Sequence, residues 1–169
     1  SNLKRIEHLS FGVNSTSLNS FLSCSAKTHE EARKILLEFL NTFDIKPNQA
    51  TLNLFLNRFC SSDENFRSCL IWFDTEFGVK PNELTISVLL NNRKNQPLED
   101  LIKWIKNFAK QYGIEISDLI KSRLIHLKAK SFDEIQDILS ITEDDISKNL
   151  LRDIVQCLFK SRKPEDKEK

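Results

Sequence analysis

Methionine is absent from all 169 residues, glycine occurs three times and proline four times. So few glycines and prolines cannot supply the turns of a β-rich chain, and the sequence reads as helical. No run of about 18 apolar residues occurs, so no membrane-spanning helix is expected. The opening SNLKRIEHLS lacks the apolar core of a signal peptide. With no methionine even at position 1, the chain reads as a piece excised from a longer protein, Ser1-Asn2 being the remnant of a cleaved tag. A targeting segment or a catalytic domain would then lie elsewhere in the parent.

Other absences concern chemistry. Cys24, Cys60, Cys69 and Cys157 include no Cys-x-x-Cys pair, and His8, His29 and His126 are scattered. Zinc-ligand spacing is missing, so no metal is expected. The cysteines read as four reduced, mostly packed thiols in a reducing compartment. No glycine-rich phosphate loop or Ser-His-Asp arrangement is present, so the expectation is a non-enzyme without a cofactor. Net charge is only +1, so any nucleic-acid binding needs a local basic stripe rather than a global field.

What the chain does contain is a self-match. IKPNQATLNLFL at residues 45–56 returns as VKPNELTISVLL at residues 79–90, a shift of 34. Stepping back 34 from Thr51, Asn53, Phe55 and Leu56 gives Ser17, Asn19, Phe21 and Leu22. Phe77-Gly78-Val79 reappears as Tyr112-Gly113-Ile114, and Phe43-Asp44-Ile45 precedes it by 34. A fixed period in the thirties marks a stacked helical repeat. The units span about 15–48, 49–82 and 83–117, with a degenerate fourth at 118–140.

Each unit reads as two helices, A and B. In the second, helix A runs over about 49–59, with Leu52, Phe55, Leu56 and Phe59 on one face. Asn48 is its expected N-cap. Helix B runs over about 63–77, with a buried stripe of Phe66, Cys69, Leu70, Phe73 and Phe77. Gly78 supplies the left-handed terminator, and Pro81 cannot extend the helix. Thr28…Glu31 and Ser131…Glu134 fit capping boxes, and Pro97 falls at an expected first turn. Asp144-Asp145 reads as part of a helix N-terminus. A last helix over 143–160 offers two apolar rows, Ile146, Leu150, Ile154, Leu158 and Leu151, Val155, Phe159. It reads as a cap on the stack or as an edge where a following repeat was cut off. Residues 161–169 are charged and read as disordered.

Thr-x-Asn-x-x-Leu in helix A, an aromatic-Gly-aliphatic end to helix B and a closing Lys-Pro-Asn together resemble the pentatricopeptide repeat. Thr51–Leu56 with Gly78-Val79-Lys80-Pro81-Asn82 carries the resemblance best, and it covers about residues 15–117. The tetratricopeptide repeat shares the period, but its Trp, Gly and Ala signature is missing. The aligned two-helix units and capping signals lead to the expectation of an all-α, right-handed α-α superhelical solenoid of three to four repeats with a C-terminal capping helix, and the chain length to one domain over residues 1–160. The resemblance agrees with this fold. It implies a single-stranded RNA partner, in mitochondria or chloroplasts, with the mitochondrion as the expected location. In the family, one base is read per repeat by two or three side chains. The reading positions, fifth in helix A and last in the repeat, become Asn19 with Asn48, Asn53 with Asn82, and Ser87 with Ser117. The base-clamping second position is Thr16, Ala50 and Leu84.

The residues themselves leave alternatives open. Asn48 and Asn82 serve equally as plain N-caps, and Asn19 and Asn53 as solvated polar positions. Lys27, Arg58, Lys94 and Lys130 recur near the end of successive A helices, where they are either phosphate contacts or cations favoured by the helix dipole. A protein-interaction scaffold on the same fold is the competing function. Expected core residues are Phe55, Leu56, Leu70, Phe73, Leu89, Leu90, Trp104 and Phe108.

Overall fold

The computed structural model describes residues 13–142 and 145–161. Among them the fold is all-α, with nine helices and no strand. They are α1 (Ser15–Ser25), α2 (His29–Phe43), α3 (Gln49–Arg58), α4 (Asp63–Phe77), α5 (Glu83–Asn92), α6 (Leu98–Tyr112), α7 (Asp118–Lys128), α8 (Phe132–Leu139) and α9 (Lys148–Ser161). The chain divides into two compact units, Ser1–Lys80 and Pro81–Lys169.

In the first unit α1 packs on α2, α3 on α4, and α1 on α3. In the second α5 packs on α6 and α7 on α8, while α7 also packs on both α5 and α9. Within each unit, therefore, the A-type helices form a row and each of the paired ones carries a B helix. Residues four and eight of the first three A helices are fully buried: Leu18 and Leu22, Leu52 and Leu56, Ile86 and Leu90. Four-residue spacing puts them one turn apart on one face.

A polar knot begins three of the A helices. Asn48 Oδ1 accepts from Thr51 N at 3.1 Å and from Thr51 Oγ1 at 3.2 Å, while Asn48 N donates to Thr51 Oγ1 at 3.2 Å. The same knot joins Asn82 to Thr85 at 3.0–3.1 Å, and Asn14 to Ser17 at 3.0–3.5 Å. Thr51 and Thr85 are fully buried, which they tolerate because each hydroxyl both donates and accepts within its knot. An N-cap of this kind contributes about 1 kcal/mol.

The B helices end as the repeat requires. Gly78 and Gly113 both take φ 65°, and Asp44 stands at the matching place with φ 53°. Left-handed backbone suits glycine best, and aspartate is among the few other residues that adopt it.

Several expectations are corrected. Trp104 is only half-buried, and the Arg93 guanidinium lies 4.6 Å over its ring. Phe59 caps α3 rather than extending it, and Phe59 and Phe77 are part-exposed. Pro97 is the N-cap of α6, and the helix proper starts at Leu98. Glu31 does not close its box on Thr28; its carboxylate accepts from Lys27 N at 2.8 Å. The last helix begins at Lys148, since Ser147 Oγ caps Leu150 N at 3.2 Å. Only Leu150 and Ile154 of its two apolar rows are buried; Ile146 precedes the helix, and Leu151, Val155 and Phe159 are exposed. Asp145 therefore lies ahead of the first turn, while Glu143, Asp144 and residues 162–169 fall outside the described residues. Of the four thiols only Cys60 and Cys69 are buried; Cys24 is exposed and Cys157 intermediate.

Candidate nucleic-acid interface

The fifth residue of helix A is Asn19 in α1, Asn53 in α3 and Ser87 in α5, and all three are part-buried. Asn19 Oδ1 and Ser87 Oγ are buried and meet no hydrogen-bond partner among the described residues. A buried acceptor left unmatched costs about 1–3 kcal/mol. The second residue of each A helix lies three places earlier, hence on the same face. Thr16, Ala50 and Leu84 there are all exposed.

The last residue of each repeat is a cap. Asn48 and Asn82 hold the knots at the starts of α3 and α5, and Ser117 Oγ accepts from Leu119 N at 3.1 Å at the start of α7. The cap role of these residues is thus filled. In the Asn48 knot the side-chain oxygen is committed and the amide nitrogen is not used.

Lys27, Arg58, Lys94 and Lys130 are all exposed. Lys27, Lys94 and Lys130 sit in the turns between A and B helices, and Arg58 is the last residue of α3. None of the four forms a salt bridge among the described residues. The turns before α2 and α8 share one bond: Lys130 N donates to Glu134 Oε2 at 2.6 Å, as Lys27 N does to Glu31, and only Glu134 also accepts from the N-cap amide, that of Ser131.

The sequence reading missed how the second unit fills the same positions. Ser122 is the fifth residue of α7, and its hydroxyl donates to Asp153 Oδ2 of α9 at 2.6 Å. That bond, helped by His126 and Arg152, holds the Asp153 carboxyl below its usual range. Lys121, the fourth residue, stands at the helix position that Leu18, Leu52 and Ile86 hold in their own helices and is 1% exposed. Its ammonium pairs with Asp118 at 3.6 Å. Asp118 also accepts from Ser147 N at 3.2 Å, and bonding to Ser147 leads the effects that depress its pKa. At the start of α5, burial and then the Glu115 charge raise the pKa of Glu83. The period places Ser122 and Lys121 in sequence; Lys121 finds Asp118 three residues earlier in its own helix, whereas Asp153, 31 residues beyond Ser122, leaves no local signal.

No protein-family model, curated protein or solved structure matches this chain.

Proposed function

We propose that this chain binds single-stranded RNA as a pentatricopeptide-like segment of a larger mitochondrial RNA factor, and that it acts by binding rather than catalysis. In this reading the helix pairs stack as a right-handed superhelix, and each repeat meets one base. The observation that carries it is the unmatched polar atom at corresponding fifth positions, Asn19 Oδ1 and Ser87 Oγ, each three residues from an exposed second position. A base edge would satisfy both atoms, and Asn19, Asn48, Asn53, Asn82, Ser87 and Ser117 are the base-contacting residues. Lys27, Arg58, Lys94 and Lys130 supply phosphate contacts. Stacking contributes about 1–3 kcal/mol per base. Three bases, less the cost of ordering the strand, give weak binding for this segment alone.

A protein scaffold is the second reading. Favouring it are Asp153 closing the fifth position of α7, the Glu83–Glu115 repulsion beside a cap, and exposed Leu151, Val155 and Phe159 on α9. Carboxylates repel phosphate, and exposed apolar side chains suit a protein partner.

Fluorescence polarisation with a random single-stranded RNA pool at two salt concentrations separates the readings. Under the RNA reading, Arg58→Ala or Lys94→Ala weakens all sequences alike and flattens the salt slope. Asn53→Ser shifts preference at one base and leaves the slope unchanged. Absence of binding at high micromolar protein in low salt, or an unchanged affinity for Arg58→Ala, replaces the RNA reading with the scaffold.

A further inference from the structure

His29, Cys60 and Cys69 belong to three different elements of the first unit. His29 is the first residue of α2, Cys60 lies in the turn after α3, and Cys69 is in the middle of α4. One ring nitrogen and the two sulfurs all lie within 4.8 Å of one another. The sulfurs are buried, Cys60 being 6% and Cys69 1% exposed, while His29 is half-buried. Aromatic edges hold the imidazole: Phe55 at 5.8 Å and 88°, Trp72 at 6.4 Å and 64°.

A hydrogen bond between the thiols lowers the pKa of Cys60 and raises that of Cys69. Burial, then the Arg33 charge, lowers the pKa of His29 against a smaller opposing pull from Glu30.

We propose that His29, Cys60 and Cys69 form a zinc site, holding Zn²⁺ through one imidazole nitrogen and two thiolates, with solvent in the fourth position. One nitrogen and two sulfurs are soft donors, and the trio contains no carboxylate of the kind that calcium and magnesium prefer. Two thiolates cancel the dication, so an uncharged complex sits in the apolar shell and the cost of burying a net charge is avoided. Zinc bond lengths of about 2.3 Å to sulfur and 2.0–2.1 Å to nitrogen set tetrahedral donor separations of roughly 3.5–3.8 Å. The trio needs to close by about 1.3 Å at most, within reach of side-chain torsions. Binding exchanges two S–H bonds for two Zn–S bonds and releases two protons to solvent; no electron moves. The ion would tie the start of α2 to the α3–α4 turn and to α4, joining the two helix pairs of the first unit. Stability of that unit then depends on metal.

Titration of the reduced intact chain with Co²⁺, a spectroscopic stand-in for zinc, tests the site. One equivalent should produce a thiolate-to-cobalt charge-transfer band and intense tetrahedral visible bands, both bleached by Zn²⁺. Cys60→Ser and Cys69→Ser should each abolish the one-equivalent site, and His29→Ala should weaken it and alter the visible bands. A Cys24→Ser/Cys157→Ser double variant should bind as the native chain does. Because the buried serine variants are able to fail in folding, a second measurement uses Trp104→Phe, which leaves Trp72 as the only tryptophan. Zn²⁺ should raise the thermal midpoint reported by Trp72. No thiolate band in the native chain, a band surviving both Cys60→Ser and Cys69→Ser, or a midpoint unmoved by Zn²⁺ overturns the proposal. So does a Cys60–Cys69 disulfide in the native chain, which would make the pair a redox element with no role for His29.

Discussion

The two units share one plan but differ in the charge their A helices carry. In the first, α1 has no charged residue and α3 has only Arg58 at its end. Its interior is aromatic: Phe55 meets Phe59, Trp72 and Phe73 at 5.4, 5.7 and 5.2 Å. In the second, α7 brings Asp118, Lys121, Arg123 and His126, and its row is laced by polar bonds. Arg123 donates to Asn91 of α5 at 2.6 Å, and Ser122 to Asp153 of α9 at 2.6 Å. The fourth A helix therefore tolerates a lysine where the other A helices bury an apolar residue because Asp118 of the same helix pairs with it, while the bonds to α9 and α5 are made by Ser122 and Arg123. In the fourth repeat, hydrogen bonds with one charged partner each join α7 to α9 and α5, alongside the buried Ile120, Leu124 and Ile125.

The largest effect should come from breaking the aromatic unit. Phe73 is fully buried, and Phe73→Ala should cost about 3–5 kcal/mol in chemical denaturation. Single-tryptophan variants keeping Trp72 or Trp104 then sharpen the comparison. A shift seen by Trp72 alone means that the units unfold separately. A change below about 1 kcal/mol removes Phe73 from the core.

The next test replaces Lys121. Burying an ammonium costs several kcal/mol that its pairing repays only in part, and Lys121→Met leaves Asp118 part-exposed and still bonded to Ser147. Lys121→Met should therefore raise stability and make α7 resemble α1 and α3. A loss measured by urea denaturation would show that the Asp118 pair outweighs its desolvation. Charge-swapping at Asp118 is a less clean probe, since its carboxylate also holds Ser147.

The smallest effect concerns Glu83. A carboxyl whose folded-state pKa is raised favours folding while protonated and opposes it once ionised. That contribution is complete below the ordinary value of 4.5 and is lost as pH rises through the raised value. Glu83→Gln should gain a few tenths of a kcal/mol over the native chain at pH 7 and nothing below about pH 4. Equal gain at both pH values would assign the effect to packing rather than to Glu115.

The span of α4 was legible to the residue, because Ser62 caps it at one end and Gly78 turns left-handed at the other. The caps at Asn48 and Asn82 were legible for the same reason: they depend on residues three apart. The start of α9 was not, because its apolar spacing runs back through Ile146, and the competing cap at Ser147 is a single hydroxyl. Trp104 lies on the stripe its helix period assigns, yet a cation from beyond the helix covers it. The trio of His29, Cys60 and Cys69 was illegible in principle. Gaps of 31 and 9 residues match no ligand spacing, and only packing of α2 beside α4 closes them. At the candidate interface the sequence named the positions, and packing decided which polar atoms stayed unmatched.

The turns before α2 and α8 carry a consequence for any phosphate. A helix N-terminus is ordinarily a ready anion receptor, built from free amide hydrogens and the positive end of the dipole. Here Glu31 and Glu134 fill that receptor from within, each bonded to the amide of the preceding lysine. The protein supplies its own resident anion at both places. Under the RNA reading, a strand passing there would find the exposed ammonium groups of Lys27 and Lys130, point charges that attract the phosphate backbone without fixing its register.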